Sequence, residues 1–276
     1  MAVPSTLTVM TSAPVTPLEV TIRAIADELD QAARSGIPTA PPISMSGDLD
    51  LDAAYLIQQT NIRRALARGD VRVGHKIGLT SLAMQKQLGV DSPDFGVLLG
   101  SMQVPNGGTA GQLLLQPRIE AEIAFVLGSD LDKPNLTVDD VLAATSAVMP
   151  ALEIIDSRVA NWKISLIDTV ADNASSGAFV LGAPVPLPAD LREIELVLTC
   201  DGTEVGRGLG SAALGHPAEC VLWLARALAA QGEVLRGGSV ILSGAVHGSV
   251  PIAPGQTFAV TSPLGEVSVR FPGAES

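Results

Sequence analysis

The stretch QPRIEAEIAFVL, from Gln116 to Leu127, decides the fold. It is rich in Ile, Phe and Val, which is typical of a strand, and side chains two apart on a strand point to the same face. The residues that we expect on the core face are Ile119, Ala121, Ile123 and Phe125. Glu120 and Glu122 project together from the other face. Carboxylates directed at one spot repel each other unless a cation or a proton lies between them.

A second apolar stretch, VMPALEIIDSR, carries Glu153 among apolar neighbours. An acid in a buried strand is costly unless it is paired or bound to a metal ion. Three glutamates on two strands, with no Cys or His beside them, favour an all-oxygen site for Mg²⁺ or Mn²⁺. Two other interpretations stay open. Two glutamates spaced like Glu120 and Glu122 are also typical of the solvated face of an edge strand. Glu153 is also typical of a core acid that forms a salt bridge with Arg158 or Arg118.

The composition of this 276-residue chain is that of a globular protein with a large core, since 47% of the residues are hydrophobic and 17% are charged. The net charge of −12 argues against nucleic acid and anionic membranes as partners. It leaves room for a small anionic substrate, because a metal ion and a lysine can reverse the field within a pocket. Cys200 and Cys220 are typical of two reduced thiols in a cytoplasmic protein.

The order of the predicted elements favours an α+β fold. Residues 1–16 are expected to form a disordered leader, and residues 17–70 a helical N-terminal region whose second helix is capped by Asp50 or Asp52. For residues 71–276 we expect a catalytic β-roll or sandwich of mixed strands with a few covering helices, because the regular alternation of strands and helices of a parallel sheet is missing. Within it, Asp201-Gly202 predicts a hairpin turn, and Pro217 the first turn of a helix.

Two further stretches present polar residues beside apolar ones. In VRVGHKIGLTS, glycines permit close backbone approach, so Lys76 is either presented into a cavity or is a surface lysine. In DSPDFGVLLG, Asp94 is either a turn residue or an acid held at a loop tip. Between residues 161 and 182, Asp, Asn and Ser interrupt an apolar segment, which predicts either a cavity wall or a pair of Asx and Ser turns.

Taken together, six stretches resemble the hydratase/decarboxylase family of bacterial aromatic meta-cleavage pathways. In chain order they are GHKIGLTS, DFG, QPRIEAEIAFVL, PALEIIDSR, DTVADNASS and LGHPAECVLWLA. The resemblance runs from about Leu51 to Phe271 and implies the fumarylacetoacetase-like fold, a mixed β-roll with helices. It also implies a divalent metal, Mg or Mn, held by Glu120, Glu122 and Glu153, and a pocket lysine and acid at Lys76 and Asp94.

The activity that this resemblance implies is hydration of 2-hydroxypenta-2,4-dienoate or a close alkyl homologue. Further candidates for substrate contact are Ile77, Lys163 and Ser175. The alternative is a 4-oxalocrotonate-type decarboxylase that uses the same metal site. Asp94 and Arg118 favour the hydratase, because the decarboxylases have an apolar residue and a lysine there. The resemblance also implies a cytoplasmic homo-oligomer, a pentamer or decamer, and an association with the downstream aldolase.

Two other functions are less favoured. A non-catalytic partner of the decarboxylase is one, but the lysine, the aspartate and the three glutamates are all retained. A β-diketone hydrolase of the wider fold is the other, and it would need a histidine–acid pair that activates water. The three histidines, His75, His216 and His247, show no such pattern, and His216 before Pro217 is typical of a turn or capping residue.

Overall fold

The computed structural model describes residues 16–42, 49–81, 85, 90–111 and 113–273. Residues 1–15 of the predicted leader lie outside these ranges, and Thr16 caps the first helix, α1 (Pro17–Ser35), by accepting a hydrogen bond from the Glu19 amide. The second helix, α2 (Leu51–Ala67), begins at Asp50, whose carboxylate accepts from the Ala53 amide at 2.8 Å. The predicted cap at Asp50 is therefore confirmed.

The described residues after α2 form twelve strands and three longer helices. In chain order they are β1 (Arg72–Gly78), β2 (Asp94–Leu99), β3 (Gln103–Val104), β4 (Arg118–Leu127), α3 (Val138–Ala144), β5 (Thr145–Ile155), α4 (Leu166–Ala171), β6 (Ser176–Leu181), β7 (Glu195–Cys200), β8 (Thr203–Leu209), α5 (Pro217–Ala230), β9 (Val240–Ala245), β10 (Val250–Pro251), β11 (Thr257–Ser262) and β12 (Gly265–Arg270). The predicted hairpin joins β7 to β8. Pro217 opens α5, and the His216 ring caps it by accepting from the Ala218 amide at 3.0 Å.

The strands form two sheets. The larger runs β2-β1-β9-β4-β5-β6-β3, with β10 paired to β4, and it is mixed because β1 with β9 and β3 with β6 are parallel. The smaller sheet, β12-β11-β7-β8, is antiparallel. This mixed β-roll with covering helices confirms the predicted α+β class.

Strand β4 lies inside the larger sheet, between β9 and β5. The edge-strand interpretation of Glu120 and Glu122 is therefore wrong. The predicted core face of β4 is fully buried and packs into one apolar cluster with strands of the smaller sheet and with α5. The opposite face carries the two glutamates and then a separate apolar cluster around Ala124, Met149 and Phe179. The carboxylates thus project from an inner strand of the sheet, on the face opposite the main core.

Helices α1, α2 and α4 pack together on one side of the roll around Ile25, Ile57 and Val170. Gln58 of α2 joins them to the sheet, since its side-chain amide donates to the carbonyls of Phe95 and Val170, both at 3.0 Å. The division into a helical region, 17–70, and a β-roll, 71–276, stays a prediction. Within the described ranges, no helix combines the length and the apolar character that crossing a bilayer requires.

Candidate metal centre and active site

Three carboxylates from β4 and β5 meet on one face of the larger sheet. Glu120 stands directly opposite Glu153 in the antiparallel pairing, and Glu122 follows two residues later on the same face. One oxygen of each group lies within 4.8 Å of the other two. Glu122 and Glu153 are fully buried, and Glu120 is half-buried. The Gly244 amide of β9 donates to Glu122 Oε2 at 2.8 Å and so fixes one of the three groups.

Three buried oxygens of this cluster lack hydrogen-bond partners among the described residues. Within the described part of the chain, Glu122 Oε1 and both carboxylate oxygens of Glu153 accept no hydrogen bond. Burial, with repulsion from Glu153, raises the pKa of Glu120 to about 7 and the pKa of Glu122 well above its usual range. Three such groups cannot all be ionised without a cation or a proton between them. The all-oxygen donor set therefore fits a hard divalent ion such as Mg²⁺ or Mn²⁺.

Lys76 of β1 places a cation beside this cluster. Its Nζ lies 3.4 Å from Glu153 Oε1 and donates to the Ala174 carbonyl at 3.1 Å. Burial alone would lower the pKa of Lys76, but attraction to Glu153 and Asp94 raises it above its usual value. The amine therefore stays protonated. The surface-lysine interpretation is wrong, because Lys76 is 4% exposed.

The predicted arginine partners of Glu153 have other roles. Arg158 forms an ion pair with Asp172. Arg118 donates to the hydroxyl of Ser249 at 2.8 Å and to its carbonyl at 3.1 Å. The prediction of an Arg158 or Arg118 pair with Glu153 was wrong because strand register brings Lys76, which is far away in sequence, into the closer position.

Asp94, the first residue of β2, stands opposite Gly78 of β1. Its carboxyl and the Lys76 ammonium converge over that glycine: a Cβ at Gly78 would lie 2.2 Å from Asp94 Oδ1 and 3.2 Å from Lys76 Nζ. Asp94 Oδ1 is buried and has no hydrogen-bond partner among the described residues. Burial raises the pKa of Asp94, and Lys76 offsets part of the rise. A buried acid with a raised pKa next to a cation is suited to proton transfer.

A left-handed turn adjoins Lys76. Asn173, Ala174 and Ser175 have φ of 54°, 50° and 53°, a conformation that costs L-residues about 1–2 kcal/mol each. The Asn173 amide fastens the turn to β2, since its Oδ1 accepts from the Val97 amide at 2.8 Å and its Nδ2 donates to the Val97 carbonyl at 2.9 Å. Of the two alternatives for the segment from 161 to 182, the structure supports the cavity wall, since Asp172, Asn173 and Ser176 line a cavity. The Asn173 side chain does not form an Asx turn, because it bonds to the distant Val97.

The remaining predicted substrate contacts lie elsewhere. Ser175 is buried in the turn, with its hydroxyl 3.2 Å from that of Thr169. The Ile77 side chain points away from Lys76 into the core and is fully buried there. Lys163 is exposed after the turn at residues 160–162, and it joins none of the hydrogen bonds or ion pairs of the described site. The structure therefore brings neither the Ile77 side chain nor Lys163 to the carboxylates.

Sequence reasoning missed Gly244, and it named Asn173 only as one of the polar residues that interrupt the segment from 161 to 182. Gly244 has φ of 102°, and a Cβ there would lie 2.2 Å from Thr80 Oγ1, so glycine is required where the amide approaches Glu122. A glycine inside the apolar run VILSGAV was the available signal. For Asn173 the signal was weaker: asparagine tolerates the left-handed region and bonds the backbone with its side chain.

One family model matches most of the chain, and three known proteins are similar to nearly all of it. A family model, the C-terminal domain of fumarylacetoacetate (FAA) hydrolase, matches residues 92–271. A "TodF product hydratase" from Pseudomonas putida is 47% identical over 254 residues, which cover 91% of this chain and 95% of that protein. A "2-keto-4-pentenoate hydratase" from Paraburkholderia xenovorans is 48% identical over 250 residues, which cover 89% and 93%. A solved structure of 4-oxalocrotonate decarboxylase from Pseudomonas putida, complexed with magnesium and adipate, has a TM-score of 0.89 and 38% identity, and covers 94% of this chain and 100% of that one.

Proposed function

We propose that this chain, which belongs to the fumarylacetoacetate hydrolase family, is a hydro-lyase. Its substrate is 2-hydroxypenta-2,4-dienoate or a close alkyl homologue, and its product is 4-hydroxy-2-oxopentanoate or the corresponding homologue. This reaction belongs to the meta-cleavage catabolism of aromatic compounds or steroids. The similar curated proteins are hydratases, one of them a 2-keto-4-pentenoate hydratase. The observation that carries the residue assignment is the convergence of Lys76 and Asp94 over Gly78, beside the three glutamates.

The cofactor is a divalent metal, Mg or Mn, and Glu120, Glu122 and Glu153 are the residues that would hold it. When bound, the ion supplies Lewis-acid stabilisation of negative charge on the substrate 2-oxygen, an effect worth several kcal/mol. The three carboxylates offset the charge of the cation, so the site needs another positive group for an anionic substrate. The buried Lys76 ammonium provides it next to Glu153.

Asp94 is the proposed acid and base. Hydration first requires a proton on the terminal alkene carbon, C5, and the loss of the proton from the 2-hydroxyl, which gives the conjugated 2-oxo-3-enoate. Water then adds its oxygen at C4, and C3 takes a proton. Burial raises the pKa of Asp94, which favours proton transfer by this carboxyl, and its Oδ1 is buried without a hydrogen-bond partner among the described residues. Lys76, fixed between Ala174 and Glu153, orients the substrate carboxylate.

The test is turnover of freshly generated 2-hydroxypenta-2,4-dienoate, with EDTA and then with Mg²⁺ or Mn²⁺ restored. We expect metal-dependent loss of the dienol absorbance and formation of 4-hydroxy-2-oxopentanoate. The variant Asp94→Asn should lower kcat by about 10²- to 10⁴-fold at unchanged metal affinity. Asp91→Asn is the matched control, because Asp91 is exposed and lies three residues away. Wild-type turnover by Asp94→Asn would show that Asp94 is not the acid and base.

A decarboxylase is the second candidate, because the similar solved structure is a 4-oxalocrotonate decarboxylase. The same carboxylate cluster would then serve a dicarboxylate substrate that loses CO₂. Assaying a 4-oxalocrotonate-type dicarboxylate beside the dienoate separates the two activities. Release of CO₂ from the dicarboxylate, with no turnover of the dienoate, would replace the hydratase proposal.

We also propose that the enzyme works in the cytoplasm as a homo-oligomer, a pentamer or decamer by family resemblance, in association with the aldolase that consumes its product. Cys200 and Cys220 are both free thiols, which is compatible with a reducing compartment. Light scattering on the purified protein tests the assembly, and a monomeric mass would contradict it. Co-purification with the aldolase tests the association.

A further inference from the structure

Arg158 contacts the residues on both sides of the left-handed turn from Asn173 to Ser175. Arg158 forms an ion pair with Asp172, which precedes the turn, and donates from Nη1 to the carbonyl of Ser176, which follows it, at 2.7 Å. Asp172 is 3% exposed. A buried ion pair of this kind fixes geometry even where its net contribution to stability is small. The two ends of the turn are therefore anchored independently of Lys76.

Strand β2 leaves room for the turn at Gly96. A Cβ at Gly96 would lie 2.5 Å from the Asn173 carbonyl oxygen and 2.8 Å from Ser176 Oγ. Gly96 stands opposite Lys76 in the β1–β2 pairing. The glycine of the Asp-Phe-Gly stretch thus admits the turn onto the strand that neighbours Lys76, and the Asn173 amide bonds to Val97, the next residue of that strand.

We propose that Asn173 is a positioning residue for Lys76. Its side-chain amide makes the two backbone hydrogen bonds to Val97 that a neighbouring strand would otherwise make, and so holds the turn against β2. The Ala174 carbonyl, next in the chain, then receives the Lys76 ammonium and keeps it beside Glu153. A lysine side chain has four flexible bonds and about 2 kcal/mol of rotamer entropy, so a fixed acceptor decides where the charge lies. This inference rests on the proposed function, in which Lys76 orients the substrate.

The first test is Asn173→Gly, which removes the amide and leaves a residue suited to φ of 54°. We expect kcat to fall by about 10- to 100-fold, as for other residues that orient a catalytic group, with unchanged Mn²⁺ affinity. The melting temperature should also fall, because the Val97 amide and carbonyl lose their partner. Asn135→Gly is the matched control. Asn135 has φ of 58° in an exposed position before α3, so the same exchange there should leave kcat unchanged.

A second measurement separates positioning of Lys76 from general support. The probe is 2-oxopentanoate with Mn²⁺ present, a saturated 2-oxo acid that has no double bond to hydrate, and its affinity is measured in a double-mutant cycle with Lys76→Met. If Asn173 acts through Lys76, Asn173→Gly weakens binding by about 10-fold in the wild-type background and has no further effect beside Lys76→Met. Equal weakening in both backgrounds overturns the inference.

The outcomes for the inference and for the proposed function are distinguishable. A wild-type enzyme that hydrates the dienoate, with an Asn173→Gly variant of unchanged kcat, overturns the positioning role alone. A wild-type enzyme that turns over neither the dienoate nor the dicarboxylate, with metal bound, overturns the proposed function and the inference with it.

Discussion

At Gly78 the two proposed catalytic side chains meet the backbone of β1, with no space for a Cβ between them. In Gly78→Ala the new methyl group would lie 2.2 Å from Asp94 Oδ1, which is the end of a side chain and can rotate away. The fold should therefore persist while Asp94 leaves its position. We expect kcat to fall by about 100-fold, as for a displacement of about 1 Å in an active site, while the melting temperature changes little.

The matched control for this exchange is Gly111→Ala, because a Cβ at Gly111 meets no described atom within 4 Å. Both variants are compared by steady-state kinetics and thermal unfolding. Wild-type kcat in Gly78→Ala would mean that the position of Asp94 does not matter for the reaction.

His75, next to Lys76 but on the opposite face of β1, gives a pH-dependent prediction. Burial, with a contribution from Arg72, lowers the pKa of His75 to about 3, whereas the unfolded chain titrates near 6.5. Between these values the unfolded chain binds a proton that the folded chain does not. The free energy of unfolding therefore falls as pH drops below about 6.5, and most of this loss is reached near pH 3.

His75→Leu should remove this pH dependence of the free energy of unfolding. From about pH 7.5 to about pH 5.5, we expect the wild type to lose about 1 kcal/mol more than the variant in urea unfolding. The carboxylate cluster is the same in both proteins, so its own titration cancels in the comparison. Parallel loss of stability in the two proteins would show that the folded chain protonates His75 as easily as the unfolded chain does.

The side of the sheet on which a residue lies was predictable where the two-residue repeat of a strand determines it. Glu120 and Glu122 alternate with fully buried apolar residues, so strand periodicity alone placed them on one face. The partner of Glu153 was not predictable in this way. Lys76 reaches it across β9 and β4, and no local pattern encodes the order of strands in a sheet.

Among the elements, α2 is joined to the rest of the molecule by Gln58. Its amide donates to two buried carbonyls, of Phe95 in β2 and Val170 in α4. In Gln58→Met both carbonyls lose the Gln58 donor while the side chain keeps a similar length, and the Val170 carbonyl keeps the Asp172 amide as a partner. We expect the free energy of unfolding to fall by about 1–3 kcal/mol, mainly because the Phe95 carbonyl loses its Gln58 donor, measured by urea denaturation.

Gln59→Met is the control for this prediction, since Gln59 is half-buried and bonds to the side chain of Gln231 at 3.3 Å. A surface exchange of this kind typically changes stability by about 0.5 kcal/mol or less. Equal stability of the two variants would mean that water satisfies the two carbonyls, and that Gln58 does not join the helices to the roll.

Elements with strong local signals were predicted well, and the turn beside Lys76 was not. Asp50, Asp201-Gly202 and Pro217 act through neighbours within a few residues, and the structure confirms each. The left-handed turn from 173 to 175 instead depends on Val97 and Arg158, which are distant in sequence. Its conformation is unfavourable locally, so tertiary contacts have to stabilise it.

On the scale of the whole molecule, the site combines side chains from β1, β2, β4 and β5, which span residues 76–153. Strand β9, from near the C-terminus, lies between β1 and β4 and supplies the Gly244 amide. The sequence predicted the fold class from the rhythm of strands and turns. It could not give this sheet order, because strand pairing between distant segments depends on the packed core rather than on local pattern.

Binding of a divalent metal should therefore stabilise the molecule as a whole, because the three glutamates belong to the central strands β4 and β5. With Mg²⁺ or Mn²⁺ at about 100 times its dissociation constant, we expect about 2.7 kcal/mol of added stability, reversed by EDTA. Glu122→Gln should abolish this gain and raise the stability of the metal-free protein, since one of three mutually repelling carboxylates is neutralised. Glu193→Gln, at an exposed position, should keep the gain. The measurement is the melting temperature with and without metal, and a full metal-dependent shift in Glu122→Gln would contradict the assignment of Glu122 as a ligand.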